Sequence, residues 1–537
     1  MLLNMKTNKF RRKYLDIMHL KSNIILRTLG LKFLTLIILS SSFVSYSQSS
    51  SKPNIILVLV DDMGYSDIGC MGSEINTPHI DKLADNGMLY TEMHNTAKCY
   101  PTRVSLLSGL YYQQSNRDFD NTVTIGELLQ ENGYRTLWSG KHHASFDPRT
   151  RGFDRFYGFL GGAINYINPG DAASPGGKTP AYIRSEAYKW VLDREGTVQP
   201  FIPKQADYYC TDAFTDYAIK WIDENESEDK PFFLYLSYNA PHWPLHAKQE
   251  DIEKYKGYYD VGYDAIREKR YQKMLDLGIV DRETSPLSEP VYENSWEALS
   301  DEERVKEVMR MQIYAAMIDR LDQNIGRVIE KLEANDELDN TIILFLSDNG
   351  ACARNPQKRV IFPDGKEGKM GEVDSYESIR KSWATVANTP LRWWKLSSYA
   401  GGIRTPMIVY CGKNIKSQTG INHQPLHLID LMPTIMSLTN SETTKHQDYV
   451  SALQGIDISP TLQGKKAQRE TPLYFQYGGG KAIIEANMKL VKQGDSDTKK
   501  WELYNLDKDK TETKDLSVEF PDLYNEMADK WEKWFYQ

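Results

Sequence analysis

The chain has 537 residues, 40% hydrophobic and 26% charged, with a formal net charge of −8. That length supports one large α/β domain or two domains with ample core, and the composition is that of an ordinary globular protein. The acidic balance excludes a global attraction for polyanions such as nucleic acid, so any anion handled here must meet a local cationic pocket.

Lys6, Lys9, Arg11, Arg12 and Lys13 precede the apolar run Phe33–Leu39 and a Ser-rich stretch. This reads as a secretory signal over residues 1–47, too short for a stable membrane span, with Met18 as an alternative start. The mature protein is then exported, to a periplasm or beyond. Losing residues 1–47 removes eight Lys/Arg and one Asp and leaves a formal charge of −15. No cysteine lies near the cleavage region, so no lipid anchor is expected there. The five cysteines, Cys70, Cys99, Cys210, Cys352 and Cys411, are an odd number for an oxidising compartment. At least one thiol is left over or chemically changed, and spacing does not give the pairing of the others.

Asn54 to Val60 is a continuous apolar run, as in a parallel strand buried on both faces, and it ends in Asp61-Asp62-Met63-Gly64. Ligands of open α/β sheets gather at the carboxyl ends of strands, so the acidic pair fits a metal site as well as a turn or cap. Thr77-Pro78 opens a helix. Cys99-Tyr100-Pro101-Thr102-Arg103 then enters the apolar run Val104-Ser105-Leu106-Leu107. The proline puts the cysteine at a helix N-terminus with Arg103 one turn on, a setting that favours an anion or a nucleophile. Read alone, those five residues fit a packed cysteine and a solvated arginine better. The rest of the chain reverses that.

Thr124–Asn132 reads as a helix and Tyr134–Ser139 as a strand running out into Gly140-Lys141-His142-His143. Residues 151–203, rich in Gly, Pro and aromatics, read as surface elaboration. A helix over Tyr208–Glu224 precedes a third strand, Pro231–Ser237, which empties into Asn239-Ala240-Pro241-His242-Trp243-Pro244; its prolines predict a rigid loop holding the imidazole. Residues 253–303 alternate charges, Tyr and Leu, as in a solvated helical insertion. Val305–Leu332 is a long helix whose stripe of Met309, Ile313, Met317, Leu321, Ile325 and Val328 is core only. Thr341–Leu346 is a fourth strand, ending in Ser347-Asp348-Asn349-Gly350. After a charged loop over residues 365–381, Trp393-Trp394-Lys395 leads through Gly401-Gly402-Ile403-Arg404 into a strand at Met407–Tyr410.

His427–Thr434 closes the main sheet. Beyond it, Leu473–Gln476, Ala482–Ile484, Met488–Lys492 and Trp501–Leu506 read as short hairpin strands, before an amphipathic helix through Leu523, Met527, Trp531 and Trp534. The expected fold is α/β: a large, mostly parallel mixed sheet sandwiched by helices over residues 52–434. A smaller C-terminal α+β subdomain with a short antiparallel sheet follows over residues 435–537.

Every candidate group thus lies at a strand end or beside one. Asp61, Asp62, Asp348 and Asn349 are hard oxygen donors, which suit Ca²⁺ or Mg²⁺ and not zinc. Arg103, Lys141, Lys395, His143 and His242 could surround a small dianion. With these blocks in this order, the chain resembles the type I, formylglycine-dependent sulfatases of the alkaline phosphatase superfamily from Pro53 to about Leu516. The resemblance rests on Asn54–Gly64, Cys99–Gly109, Gly133–His143, Asn239–Pro244, Ser347–Gly350, Gly401–Arg404 and Trp501–Leu506. Lys256–Val280 is similar to the branch containing bacterial arylsulfatases.

The resemblance implies that a formylglycine-generating or anaerobic sulfatase-maturing enzyme oxidises Cys99 to formylglycine. One hydroxyl of its hydrate would attack the sulfur of a sulfate ester, and the other would later expel sulfate. It implies one divalent cation, Ca²⁺ with Mg²⁺ as the alternative, on Asp61, Asp62, Asp348, Asn349 and residue 99. Arg103 and Lys141 would hold the diol oxygens, with Lys141 also binding substrate. His143 would take the remaining hydroxyl's proton, and His242 and Lys395 would bind the ester oxygen and protonate the leaving alcohol. The expected substrate is a sulfated saccharide, with small aryl sulfates, phosphonate monoesters or phosphodiesters as alternatives on the same scaffold. A non-catalytic glycan-binding protein would show a damaged nucleophile or metal set, and here all positions are intact. Tyr100, His142 and Trp393-Trp394 depart from the family pattern and bear on pocket shape.

Overall fold

The unbroken apolar run of the first strand dictates a sheet covered on both sides. In the computed structural model this strand, β1 (Asn54–Asp61), is buried along its whole length. Ile56, Val58 and Val60 enter one core and Ile55, Leu57 and Leu59 the other, as the pleat requires. The structure describes residues 52–536 apart from 116–118, 120, 145, 184–188, 226–229 and 495–499. The signal segment expected over residues 1–47 lies outside the described residues.

The remaining strands of the main sheet are β2 (Gly87–His94), β3 (Arg135–Lys141), β4 (Arg155–Phe159), β5 (Trp190–Leu192), β6 (Thr197–Val198), β7 (Phe232–Pro241), β8 (Thr341–Ser347), β9 (Arg404–Cys411), β10 (Gly420–Asn422) and β11 (Leu426–His427). They are ordered β10-β2-β9-β8-β1-β7-β3-β4-β5-β6, with β11 beside β2. The centre is parallel: β1 pairs β7 and β8, and β3 pairs β7 and β4. β9 runs antiparallel to both β8 and β2.

One face is covered by α1 (Pro78–Asp85), α4 (Cys210–Asn225) and α6 (Asp301–Ala334). The other carries α2 (Cys99–Ser108), α3 (Ile125–Glu131) and α7 (Leu431–Leu438). Reciprocal caps start α3 and α6, Thr124 with Glu127 and Ser300 with Glu303, each satisfying orphan N–H groups. The α6 stripe is core, as its spacing predicts; Ile313, Met317, Leu321, Ile325 and Val328 are buried.

After the main sheet, β12 (Leu473–Tyr477), β13 (Gly480–Glu485), β14 (Met488–Gln493) and β15 (Glu502–Asn505) form an antiparallel four-stranded sheet, in sequence order. Helix α8 (Pro521–Tyr536) buries Met527 and Trp531 against it. Its other face packs Leu473, Phe475, Ala482 and Ile484 onto Ala97, Tyr399 and Ile403.

Three regions differ from the sequence reading. Strand β2 carries Thr91 and Glu92, which blur its apolar run; Glu92 is buried because Arg404 and Lys510 pair with it. Residues 151–203 are not only surface elaboration, since β4 and β5 extend the main sheet there. The insertion over residues 253–303 is not solvated: its helix α5 (Tyr263–Asp276) buries Tyr263, Ile266, Arg267, Arg270, Tyr271 and Met274. Arg270 Nη1 donates to Asp67 Oδ1 at 2.6 Å, while Nε and Nη2 fork onto Glu74 at 2.8 and 2.7 Å. Charges at helical spacing look solvated in a sequence until their partners, here about 200 residues away, are placed.

Removing Arg270 leaves two buried carboxylates without their cation. Arg270→Met is expected to cost about 3–5 kcal/mol and to lower the midpoint of thermal unfolding, with Arg270→Lys intermediate. Differential scanning calorimetry checks this, and an unchanged midpoint for Arg270→Met would contradict the role given to the pair.

Candidate active site

The carboxyl ends of β1, β2, β3, β7 and β8 all open on one edge of the sheet, and every residue given a catalytic or metal-holding role in the sequence is delivered there or beside it. β1 supplies Asp61 and Asp62. β2 leads through Asn95–Lys98 into α2, which starts at Cys99. β3 ends at Lys141, with His143 two residues on, β7 runs into His242, and β8 into Asp348 and Asn349. Lys395 comes from the loop before β9, held by backbone bonds Lys395 N–Ala351 O at 3.0 Å and Leu396 N–Ala97 O at 2.8 Å. Gly350 makes this approach possible, since a Cβ there would fall 1.8 Å from Gly401 O.

Cys99 is fully buried in the first turn of α2, where the helix presents its positive end. Its Sγ lies 2.9 Å from Lys395 Nζ and 3.9 Å from Asp62 Oδ1. Arg103 projects from the next turn. Its Nη2 donates to Asp348 Oδ2 at 3.2 Å, and its Nη1 to Lys141 O at 3.2 Å and to Ser237 Oγ. Lys141 pairs with Asp61 and Lys395 with Asp62. Asn349 Nδ2 donates to Asp62 Oδ1 at 2.7 Å, and the Asp62 N–H to Asp348 Oδ1 at 3.2 Å. His242 Nε2 stands 3.4 Å from Asp62 Oδ2, with its ring oriented by Nδ1 against Trp243 O at 2.6 Å.

Three carboxylates and three cations are thus buried together, and their mutual field decides how each titrates. Burial pushes Asp61 up, but Lys141, His242, Arg103 and Lys395 outweigh it and hold its carboxyl well below the usual range. Burial and the neighbouring Asp61 push Asp348 up to about 7. Lys395 is opposed by burial yet held well above its ordinary value by Asp62 and Cys99. Burial pushes the Cys99 thiol up to about 11 and the His242 imidazole down to about 3. His143 is driven well below the ordinary histidine value by burial and then by Lys141, Lys98 and Arg103.

Asp62 and His143 adopt left-handed backbone, φ 66° and 64°, a conformation that clusters where surroundings over-determine it. Asp61 Oδ1, Asp62 Oδ2 and Asn349 Oδ1 are buried without a hydrogen-bond donor. Ligand atoms of Asp61, Asp62, Cys99 and His242 lie within 4.8 Å of one another. Oxygen atoms so left over fit a hard divalent cation, with His242 closer to the set than an all-oxygen reading expects.

Sequence reasoning missed Ser237, which accepts from Arg103 while its own hydroxyl donates to Lys141 O at 2.8 Å. Its place at the end of the third apolar strand was the available signal. Thr102, whose Oγ1 donates to Asp348 O at 2.7 Å, was also missed. So was Asp67, which accepts from the Gly64 N–H and Tyr314 OH at 2.7 Å each and steadies the turn after Asp62. His142 does not shape the mouth. It is buried against Trp138 and Phe146, ring centroids 4.8 and 4.5 Å away.

A family profile described as Sulfatase matches residues 53–441, the whole of the sheet that carries these groups. The chain belongs to the sulfatase family. It is 31% identical to an uncharacterized sulfatase of Schizosaccharomyces pombe, over 90% of this chain and 93% of that one. It is 30% identical to an arylsulfatase of Klebsiella aerogenes, over 80% and 96%. Among solved structures, that of Ps i-CgsB in complex with k-i-k-neocarrahexaose superposes with a TM-score of 0.65 at 27% identity, covering 90% of this chain and 93% of that one. As a sulfatase, the protein is a sulfuric ester hydrolase. Among the described residues no helix is long and apolar enough to cross a membrane.

All five cysteines are free, and all but Cys70 are buried. A sulfatase chain that retains its Cys99 thiol is therefore expected to resist iodoacetamide at Cys99 near pH 7.5 in the native state, and to label there once denatured. Peptide mass spectrometry reads the difference, and rapid native labelling of Cys99 would contradict its burial.

Proposed function

We propose that this sulfatase is exported, carries formylglycine at Cys99 and one divalent cation, Ca²⁺ ahead of Mg²⁺, and hydrolyses sulfate esters of oligo- or polysaccharides. The observation that carries the reading is the burial of Cys99 at a helix N-terminus against Lys395, Asp62 and the Arg103–Asp348 pair. Export rests on the sequence of residues 1–47. The saccharide rests on the solved relative bound to neocarrahexaose. Small aryl sulfates are the second reading, favoured by the Klebsiella arylsulfatase.

Asp61, Asp62, Asp348, Asn349 and residue 99 would hold the cation, which supplies Lewis-acid polarisation of oxygen when bound. Hydrated formylglycine supplies an oxygen nucleophile and a second hydroxyl. The chain's own residues do the rest. Arg103 and Lys141 hold negative charge on the oxygens at residue 99. His143 is held neutral by burial and by Lys141, Lys98 and Arg103, so one of its ring nitrogens keeps a lone pair for the remaining hydroxyl's proton. Of the two groups expected at the ester oxygen, Lys395 holds a proton to give. His242 donates from Nδ1 to Trp243 O, which leaves a lone pair on Nε2 of the neutral ring.

Protein co-produced with a maturation enzyme is expected to release free sulfate from at least one member of a panel of sulfated saccharides and an aryl sulfate. Cys99→Ala is expected to lose activity by a factor on the order of 10³ or more. Titration of the denatured chain without reductant should count four thiols after conversion of Cys99 and five before, all five being free as encoded. Silence across the panel with Cys99 shown by mass to be converted would overturn the reading in favour of phosphonate or phosphodiester substrates.

Asp61→Asn removes one carboxylate charge from the cation set. It is expected to weaken Ca²⁺ binding by at least about tenfold in calorimetric titration, and an unaltered affinity would remove Asp61 from the set.

A further inference from the structure

Three tyrosines, Tyr100, Tyr112 and Tyr477, cluster beside the charged site, and beyond the bearing of Tyr100 on pocket shape the reading above gives them no role. Tyr100 follows Cys99 in α2. Its ring is met edge-on by three others: Tyr112 with centroids 5.2 Å apart, His143 at 5.7 Å and Tyr477 at 6.0 Å. All three tyrosines are only partly buried, whereas Asp61, Asp62, Lys141 and Lys395 behind them are closed off.

Tyr477 comes from the far end of the chain and is firmly set. It is the last residue of β12, paired with Gly480 across a two-residue Gly478-Gly479 turn, with Gly478 at φ 53° as such turns require. Gln113 Nε2 donates to Gln476 O at 3.0 Å, fastening β12 to the segment after α2. On β14, Gln493 Nε2 donates to Leu396 O at 3.3 Å and Gln493 Oε1 accepts from Ser398 N at 3.1 Å, fastening the same sheet to the Lys395 loop. The sheet that carries Tyr477 is thus tied both to the segment after α2 and to the Lys395 loop.

We infer that Tyr100 and Tyr477, backed by Tyr112, form a rigid aromatic wall against which the ring bearing the sulfate packs, making Tyr477 a specificity-determining residue for cyclic, saccharide sulfates. This rests on the proposed sulfatase activity and adds to it. Sulfate is read by the buried charges. Tyrosine pairs a broad apolar body with a polar tip, which matches a sugar ring with its C–H face and hydroxyl rim. A flexible acyclic alkyl sulfate offers the same anion but no ring, so it gains little from the wall.

The test compares kcat and KM of the converted enzyme on a sulfated monosaccharide that it turns over and on an unbranched alkyl sulfate. Tyr477→Ala and Tyr100→Ser are expected to raise KM for the saccharide and to lower the saccharide-to-alkyl ratio of kcat/KM by tenfold or more. Tyr477→Phe should retain most of that ratio. A structural lesion would lower both substrates together, so an unchanged ratio in both variants overturns the wall, even if total activity drops. Wild-type enzyme that releases sulfate from no substrate at all would instead sink the underlying activity.

Discussion

Asp62 is the point on which the site is hung. Its carboxylate meets Lys395, the Asn349 amide, the His242 ring and the Cys99 sulfur, while its backbone N–H is held by Asp348. These partners arrive from four separate places in the chain: the end of β8 for Asp348 and Asn349, the end of β7 for His242, the start of α2 for Cys99 and the loop before β9 for Lys395. Burying so much charge is affordable only when each member faces an opposite, because an unpaired ion in this interior would cost several kcal/mol. The three carboxylates therefore fix the three cations, and the cations fix the carboxylates. The second tier continues the pattern: Asp67 steadies the turn after Asp62 and is itself neutralised by Arg270 from the inserted helix.

The sheet makes this possible by direction alone. Parallel strands β1, β3, β7 and β8 all release their chains on one side, so acidic, basic and imidazole groups hundreds of residues apart converge without any local motif joining them. The antiparallel β9 contributes from its starting end, which is why Lys395 precedes its strand while Asp61, Lys141 and Asp348 follow or end theirs.

Much of this was legible in the sequence because burial on both faces writes itself as unbroken apolar runs, and those runs pointed to Asp61, Lys141, His242 and Asp348. What was not legible shares one cause. Glu92 in β2 and Arg270 in α5 are charged residues made compatible with the core by partners remote in sequence, so locally they read as breaks or as solvated surface. Ser237 carried no more signal than any hydroxyl at a strand end. The aromatics over residues 151–203 divided, with Tyr157 and Phe159 joining the main sheet. His142 and His143 are adjacent in sequence, yet a left-handed turn at His143 sends one ring into the core and the other to the site.

The small C-terminal sheet lies far along the chain from the acid pair, but it is built onto the segment that introduces Cys99 and onto the loop of Lys395. Floor and rim therefore have separate origins. The floor is drawn from strand ends that cannot shift without disturbing the central sheet. Beside it stands a hairpin whose turn is two glycines long and whose strands pack on the small sheet's own cores, independent of the central sheet. Lengthening or shortening that hairpin would recast what the opening admits while leaving the buried charges where they stand.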